Sequence, residues 1–210
     1  MASTRTSHSR ADYVAAALAM IDADGLDGLT TRSLGDRLGV HGTAVYRHFQ
    51  SIDELVDAVL NEVIGQIADA PETDAGTPRE RLTATMVATR LAFAEHPNII
   101  VPFLSSTGLF PRGSEITLRV LADLAAMGLR GRELAEALQM LESFLIGSIA
   151  FDYAGAPEHL EIRRVRRRML AHEAFDPLTR NPEQIGELNE AAFALGCIAL
   201  LDMCEKLAST

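Results

Sequence analysis

Residues 29–49 read LTTRSLGDRLGVHGTAVYRHF. Leu34, Leu38, Val40 and Val45 are its apolar positions, spaced so that two short helices meet across a tight corner. Thr30 suits the N-cap of the first helix, Thr31–Leu38, because its hydroxyl can accept from an early backbone N–H. Gly35 is small where the two helix backbones approach. Gly39 stands at the corner, where a left-handed conformation is needed and glycine adopts it cheaply. The pattern predicts a helix-turn-helix whose second helix, 42–48, would be presented to a DNA major groove.

The polar residues fall where DNA would lie. Gly42, Thr43, Tyr46 and Arg47 are expected on the exposed side of the second helix, opposite Val45 and Phe49. Arg47 has the donors for a guanine edge or a phosphate, and Tyr46 and His48 can hydrogen-bond phosphates. Thr31 and Arg32, together with the helix N-terminal amides, can hold the DNA backbone.

Outward from this stretch the chain reads as all-α. Upstream, Val14, Leu18 and Ile21 make one stripe of a helix over 13–24, which Gly25 and Gly28 end. Downstream, Ser51 and Glu54 have the spacing of a capping box opening a helix to about Ala68. APETDAGTP, residues 70–78, has turn composition. Further helices are expected over 79–95, 99–104, 114–127, 132–153, 158–173 and 182–207, separated by Gly and Pro.

The motif Gly28-Leu29-Thr30-Thr31-Arg32, then Leu38-Gly39-Val40, then Val45-Tyr46-Arg47-His48-Phe49 and Glu54-Leu55, resembles the N-terminal DNA-binding domain of the TetR family of transcriptional regulators. The resemblance covers about Ser9 to Ile67. It implies a helix-turn-helix domain over 1–50, preceded by a flexible tail over 1–9, and a helical ligand-binding and dimerisation domain over 51–210. It implies a homodimer on a palindromic operator in double-stranded DNA, acting as a repressor that a small apolar effector releases. The residues it places against DNA are Thr31, Arg32, His41, Gly42, Thr43, Ala44, Tyr46, Arg47 and His48. Three departures stand out: Ile52 where the family usually has a phosphate-binding lysine, His41 in place of a capping serine, and Ala44 in place of a threonine.

In the second half, the helix over 182–207 is apolar almost all round between Ala191 and Leu201, so it should be buried on more than one side. Ala192, Gly196 and Ala199, with Gly147 in the helix over 132–153, would let a partner's helices come close. These two helices are the expected homodimer surface, which would set two recognition helices about 34 Å apart. A ligand pocket is expected among Met86, Arg90, Phe93, Phe103, Phe110, Met140, Phe144 and Phe151, with Arg90, Glu142 or Tyr153 as polar handles. The same side chains at helical spacing also suit a plain core.

Composition bounds the alternatives. The net charge of -10 argues against a chain that coats nucleic acid. Residues 1–70 carry five arginines against ten acids, yet every arginine lies in the tail or the helix-turn-helix, and Arg5 and Arg10 could enter a minor groove. Two cysteines make no disulfide framework, and Cys197 and Cys204 are about 10 Å apart on one helix. The start, MASTRTSHSR, lacks the apolar stretch of a signal peptide, and no apolar run is long enough to span about 30 Å of lipid, so the cytoplasm is expected. The run Arg163–Arg168 reads as a solvated helix face beside Ile162, Val165 and Met169. No metal spacing, cofactor fingerprint or catalytic constellation stands out. The rival readings are an interaction protein of this fold that has lost DNA binding, and an enzyme using the apolar pocket.

Overall fold

The computed structural model describes residues 8–153, 162, 164–166, 168–170, 174 and 182–209, and among them there is no strand. Helix α1 is Arg10–Asp24. The Ser9 hydroxyl accepts from the Asp12 N–H at 3.2 Å, and the Asp12 carboxylate accepts from the Ser9 N–H at 2.7 Å. These bonds satisfy donors at the start of the helix and hold the Asp12 carboxyl below its usual range. Gly25 ends α1 at φ 73°. Helix α2, Thr31–Leu38, is capped by Thr30 as the sequence indicates, with Ser33 bonding back to the Thr30 N–H. Gly39 closes it in the left-handed region, φ 66° and ψ 30°.

The segment after the corner is a 3-10 helix, Gly42–Arg47, rather than the α-helix expected over 42–48. Its turns are closed by Ala44 N–H to His41 O and His48 N–H to Val45 O. So short a run gains little from α-type bonding, and 3-10 geometry is common in short pieces. Helix α3, Ile52–Ala68, has Ser51 as its cap, accepting from the Glu54 N–H at 3.0 Å. The expected reciprocal bond is displaced by one residue, because the Glu54 carboxylate accepts from the Gln50 N–H at 2.6 Å.

Helices α4, Pro78–Glu95, α5, Ile100–Ser105, α6, Pro111–Ala126, α7, Gly131–Tyr153, and α8, Pro182–Ala208, complete the described chain. α6 starts three residues before the expected 114, since Pro111 fits a first helical turn. Most of the helix expected over 158–173, with Arg163 and Arg167, lies outside the described residues. Ile162, Val165 and Met169 are described and exposed.

Two apolar clusters hold these elements together. In the first, Tyr13, Ala17 and Ile21 of α1, Leu34 of α2, Val45 and Phe49 surround Leu55, Val59 and Val63 of α3, and the cluster runs on to Phe93, Ile100 and Ile149. In the second, Leu82 and Met86 of α4 meet Leu124 of α6, Leu141 of α7 and Phe193, Cys197 and Leu201 of α8. The end of α1 is closed from a distance. The Asn98 side-chain amide donates to the carbonyls of Ile21 and Asp22 at 3.0 and 3.1 Å, and His96 Nδ1 lies 2.9 Å from the Asp22 carboxylate.

The helix-turn-helix corner depends on missing methyl groups. A Cβ on Gly35 would stand 2.7 Å from the Gly42 backbone, and one on Gly42 would stand 2.6 Å from the Thr31 carbonyl oxygen. Each contact is with backbone, which has nowhere to move. Gly35→Ala and Gly42→Ala are therefore expected to destabilise the protein by about 2 kcal/mol each. Gly39→Ala, which meets no atom but must hold φ 66°, is expected to cost about 1 kcal/mol. Urea-unfolding midpoints check both values.

Candidate nucleic-acid interface and apolar cavity

Glycine packing joins the start of the 3-10 helix to the start of α2, because Gly42 abuts Thr31 and Arg32. His41 takes over the capping task of the absent serine. Its Nδ1 accepts from the Thr43 N–H at 3.3 Å and bonds the Thr43 hydroxyl at 2.8 Å. Arg32, His41, Thr43, Tyr46 and Arg47 are exposed, while Thr31, Gly42, Ala44 and His48 are half-buried. Val45 and Phe49 anchor the segment in the core. His48 packs its ring 5.2 Å from that of Tyr13, so part of its surface is taken by α1.

Arg32, Arg37 and Arg47 are all exposed, and none has a carboxylate partner among the described residues. Elsewhere Arg79, Arg81, Arg90, Arg112, Arg119 and Arg132 are ion-paired. Arg10 departs from the expected tail role: its guanidinium lies 4.5 Å over the Phe49 ring and 3.8 Å from Glu54. Arg5 lies outside the described residues. Ile52 packs against the first core cluster, so the apolar side chain has an internal use.

Between α3, α4, α5, α6 and α7 lies a cavity of about 580 Å³. Of the residues expected around a pocket, Met86, Phe93, Phe103 and Phe110 line it. Phe93 and Phe103 meet edge to face at 5.0 Å, and Phe103 stacks with Phe110 at 6.1 Å. Arg90, Met140 and Phe144 stand outside it. The Arg90 guanidinium is buried over the Phe193 ring at 4.5 Å and bonded to Glu190 at 2.8 Å. Met140 and Phe144 belong to the second cluster, with Phe144 stacked on Phe193. The side chains of Phe151 and Tyr153 lie outside the described residues. Glu142 is on the wall.

Sequence reasoning missed the part of the wall formed by Ile64 and Ile67 of α3 and the segment before α6. There the Ser106 hydroxyl donates to the Asp57 carboxylate at 2.7 Å, and the Arg112 N–H donates to the Asn61 side chain at 3.2 Å. A Cβ on Gly108 would stand 2.6 Å from the Asp57 carboxylate. Asp57 and Asn61, four residues apart on α3, were the available signal. A wider trough of about 710 Å³ along α4 carries Glu72, Arg79, Glu80 and Glu95 and no aromatic ring.

On α8, Leu195, Ile198 and Met203 are exposed, and Ile198 lines a groove with Val87 and Leu91 of α4. The space beside Gly196, expected to admit a partner's helix, is taken within the chain: a Cβ there would fall 2.3 Å from the Phe144 ring. Gly147 faces open space. No group of His, Cys, Asp or Glu able to hold a metal occurs among the described residues, and no described helix is long and apolar enough to cross a membrane.

The family model described as "Bacterial regulatory proteins, tetR family" matches residues 14–59. Over 137 residues the chain is 28% identical to an HTH-type transcriptional regulator of Saccharopolyspora erythraea, covering 65% of this chain. It is 29% identical over 135 residues to the transcriptional repressor DrrR1 of Streptomyces coeruleorubidus, covering 64% of this chain. The matches span 58% and 50% of the lengths of those two relatives. Among solved structures, a TetR regulator of Streptomyces coelicolor, SCO7222, superposes with TM-score 0.77 at 25% identity, covering 96% of this chain and all of that one. ActR of the same organism, in complex with actinorhodin, gives 0.76 at 21% identity, covering 98% of this chain and all of that one.

Both cysteines are buried in α8, and burial pushes the Cys197 thiol up to about 11 and raises that of Cys204. A raised thiol pKa leaves less thiolate at pH 8. The native protein is therefore expected to react with a disulfide reagent only over hours, and within minutes once unfolded in urea, as read by thiol release.

Proposed function

The chain belongs to the TetR family of bacterial regulatory proteins, and from that premise we propose that it is a DNA-binding transcriptional regulator. The observation that carries this reading is the gathering of three exposed arginines without carboxylate partners, Arg32, Arg37 and Arg47, on the helix-turn-helix of a strongly acidic chain; Arg130, Arg166 and Arg168, exposed and also without one among the described residues, lie far along the sequence from it. Such a set stays ready for phosphates and base edges.

In this proposal residues 1–50 bind DNA, and 51–210 bind an effector and form the dimer. Arg47 and Thr43 read the groove, Ala44 meets a thymine methyl, and Thr31, Arg32, His41, Gly42, Tyr46 and His48 hold the backbone. A homodimer forms through α8, whose exposed Leu195, Ile198 and Met203 need cover, together with the outward side of α7 at Ser143 and Gly147. The dimer recognises a palindromic operator and acts as a repressor, in keeping with the similarity to DrrR1.

The effector enters the cavity of about 580 Å³, a size that suits a drug-sized molecule. Its wall includes Ile64 and Ile67 of α3, the helix that also packs on α1. An occupant that displaces the Ser106–Asp57 contact would shift α3 and change the spacing of the two recognition segments. By linkage the effector then binds free protein more tightly than operator-bound protein. Ile52, where the family usually has a lysine, and the acidic balance of the chain are what favour the interaction-protein reading.

Selection of bound duplexes from a random pool tests the reading, with an enriched inverted repeat expected and no enrichment overturning it. With about three phosphate contacts per subunit, log K should fall with log salt at a slope near -5. Arg47→Ala and Tyr46→Ala are each expected to abolish operator binding and leave the dimer intact in sedimentation. Leu195→Asp combined with Ile198→Asp is expected to yield monomers that no longer bind the repeat.

A further inference from the structure

The wall of the cavity is chemically one-sided. Leu82, Met86, Phe93 and Leu141 are buried and form its interior. Leu109, Ser114, Leu118 and Glu142 line it and are exposed, so they form its mouth. Glu142 is the single ionisable group on the wall, where no lysine, arginine or histidine stands. It has no ion-pair partner among the described residues.

The nearby cations are committed elsewhere. Arg81 is held by Asp123, Arg90 by Glu190, Arg112 by Asp69 and Glu115, and Arg119 by Asp74. Inside, the Thr89 hydroxyl already donates to the Thr85 carbonyl at 2.7 Å. An anion entering this site would lose its water and find no charged donor. A cation would find the Glu142 carboxylate at the mouth and the faces of the phenylalanine rings behind it.

Resting on the reading of this cavity as the effector site, we propose that it takes an apolar aromatic molecule bearing a cationic amine. The ring system lies against Phe93, Phe103 and Phe110, and the amine lies at Glu142. The edge-to-face and stacked ring pairs at 5.0 and 6.1 Å give a flat ring system both kinds of aromatic surface.

Three anthracene probes that share a ring and a methylene and differ in the charge of the terminal group test this with the full-length chain: 9-(aminomethyl)anthracene, 9-anthracenemethanol and 9-anthraceneacetate, titrated by fluorescence at pH 7. The amine is expected to bind at least about 10-fold more tightly than the carboxylate, because the mouth attracts one and repels the other. Glu142→Gln, at an exposed position, is expected to weaken the amine about 5-fold and leave the alcohol unchanged. Thr117→Phe, which fills the wall, is expected to weaken all three probes. Equal binding of amine and carboxylate that Thr117→Phe still weakens overturns the charge preference and leaves the effector-site reading standing. Binding that ignores Thr117→Phe, or no binding by any probe, overturns both.

Discussion

Helix α3 has to be covered on more than one side. Nine of its seventeen residues are buried, more than one apolar stripe can hold. Leu55, Val59 and Val63 are covered by α1, α2 and the Val45–Phe49 anchor. Ile64 and Ile67 look toward α4, α6 and the cavity. Each buried aliphatic side chain contributes about 1.5–3 kcal/mol relative to exposure, so neither set can be given up cheaply. This requirement draws the helix-turn-helix and the later helices onto one rod. It also makes any displacement of α3 felt at both ends, as effector control of DNA binding would require.

The sequence was most legible where a residue type has a single conformational meaning. Gly39 at a left-handed corner, Thr30 at a cap and Gly35 at a backbone crossing could each be read directly, and each stands as read. Legibility fell where a choice depended on residues far away in the chain. Periodicity says that Phe103 and Phe144 face inward but not into which compartment. The ring of Phe193 claims Phe144 and the Arg90 guanidinium, while Phe103 joins the cavity. Arg10 and His48 looked free for DNA because charge and polarity suggest solvent. The rings of Phe49 and Tyr13 instead hold part of their surfaces.

Total charge is a poor guide here for the same reason. The chain sums to -10, yet many of its acids are spent on its own structure. Asp69, Asp74, Asp123, Glu190 and Asp202 tie down arginines of the later helices, and Asp12, Glu54 and Glu80 bond the backbone at helix starts. The helix-turn-helix gathers three exposed arginines, Arg32, Arg37 and Arg47, that lack such partners among the described residues. A local absence of neutralisation, rather than an excess of positive charge, marks the surface.

The closure of α1 by Asn98 has a consequence for how the chain folds. The Ile21 carbonyl, which accepts from the Gly25 N–H at 2.9 Å, takes its second donor from 77 residues further along. At ribosomal rates of about 5–20 residues per second, roughly 4–15 s separate the synthesis of the two groups. During that time the entire helix-turn-helix and α3 exist without the segment that seals the end of α1 and without Phe93 and Ile100 in their core. The amino-terminal third of this protein is therefore finished from behind, and it completes its packing only once the start of α5 has been made.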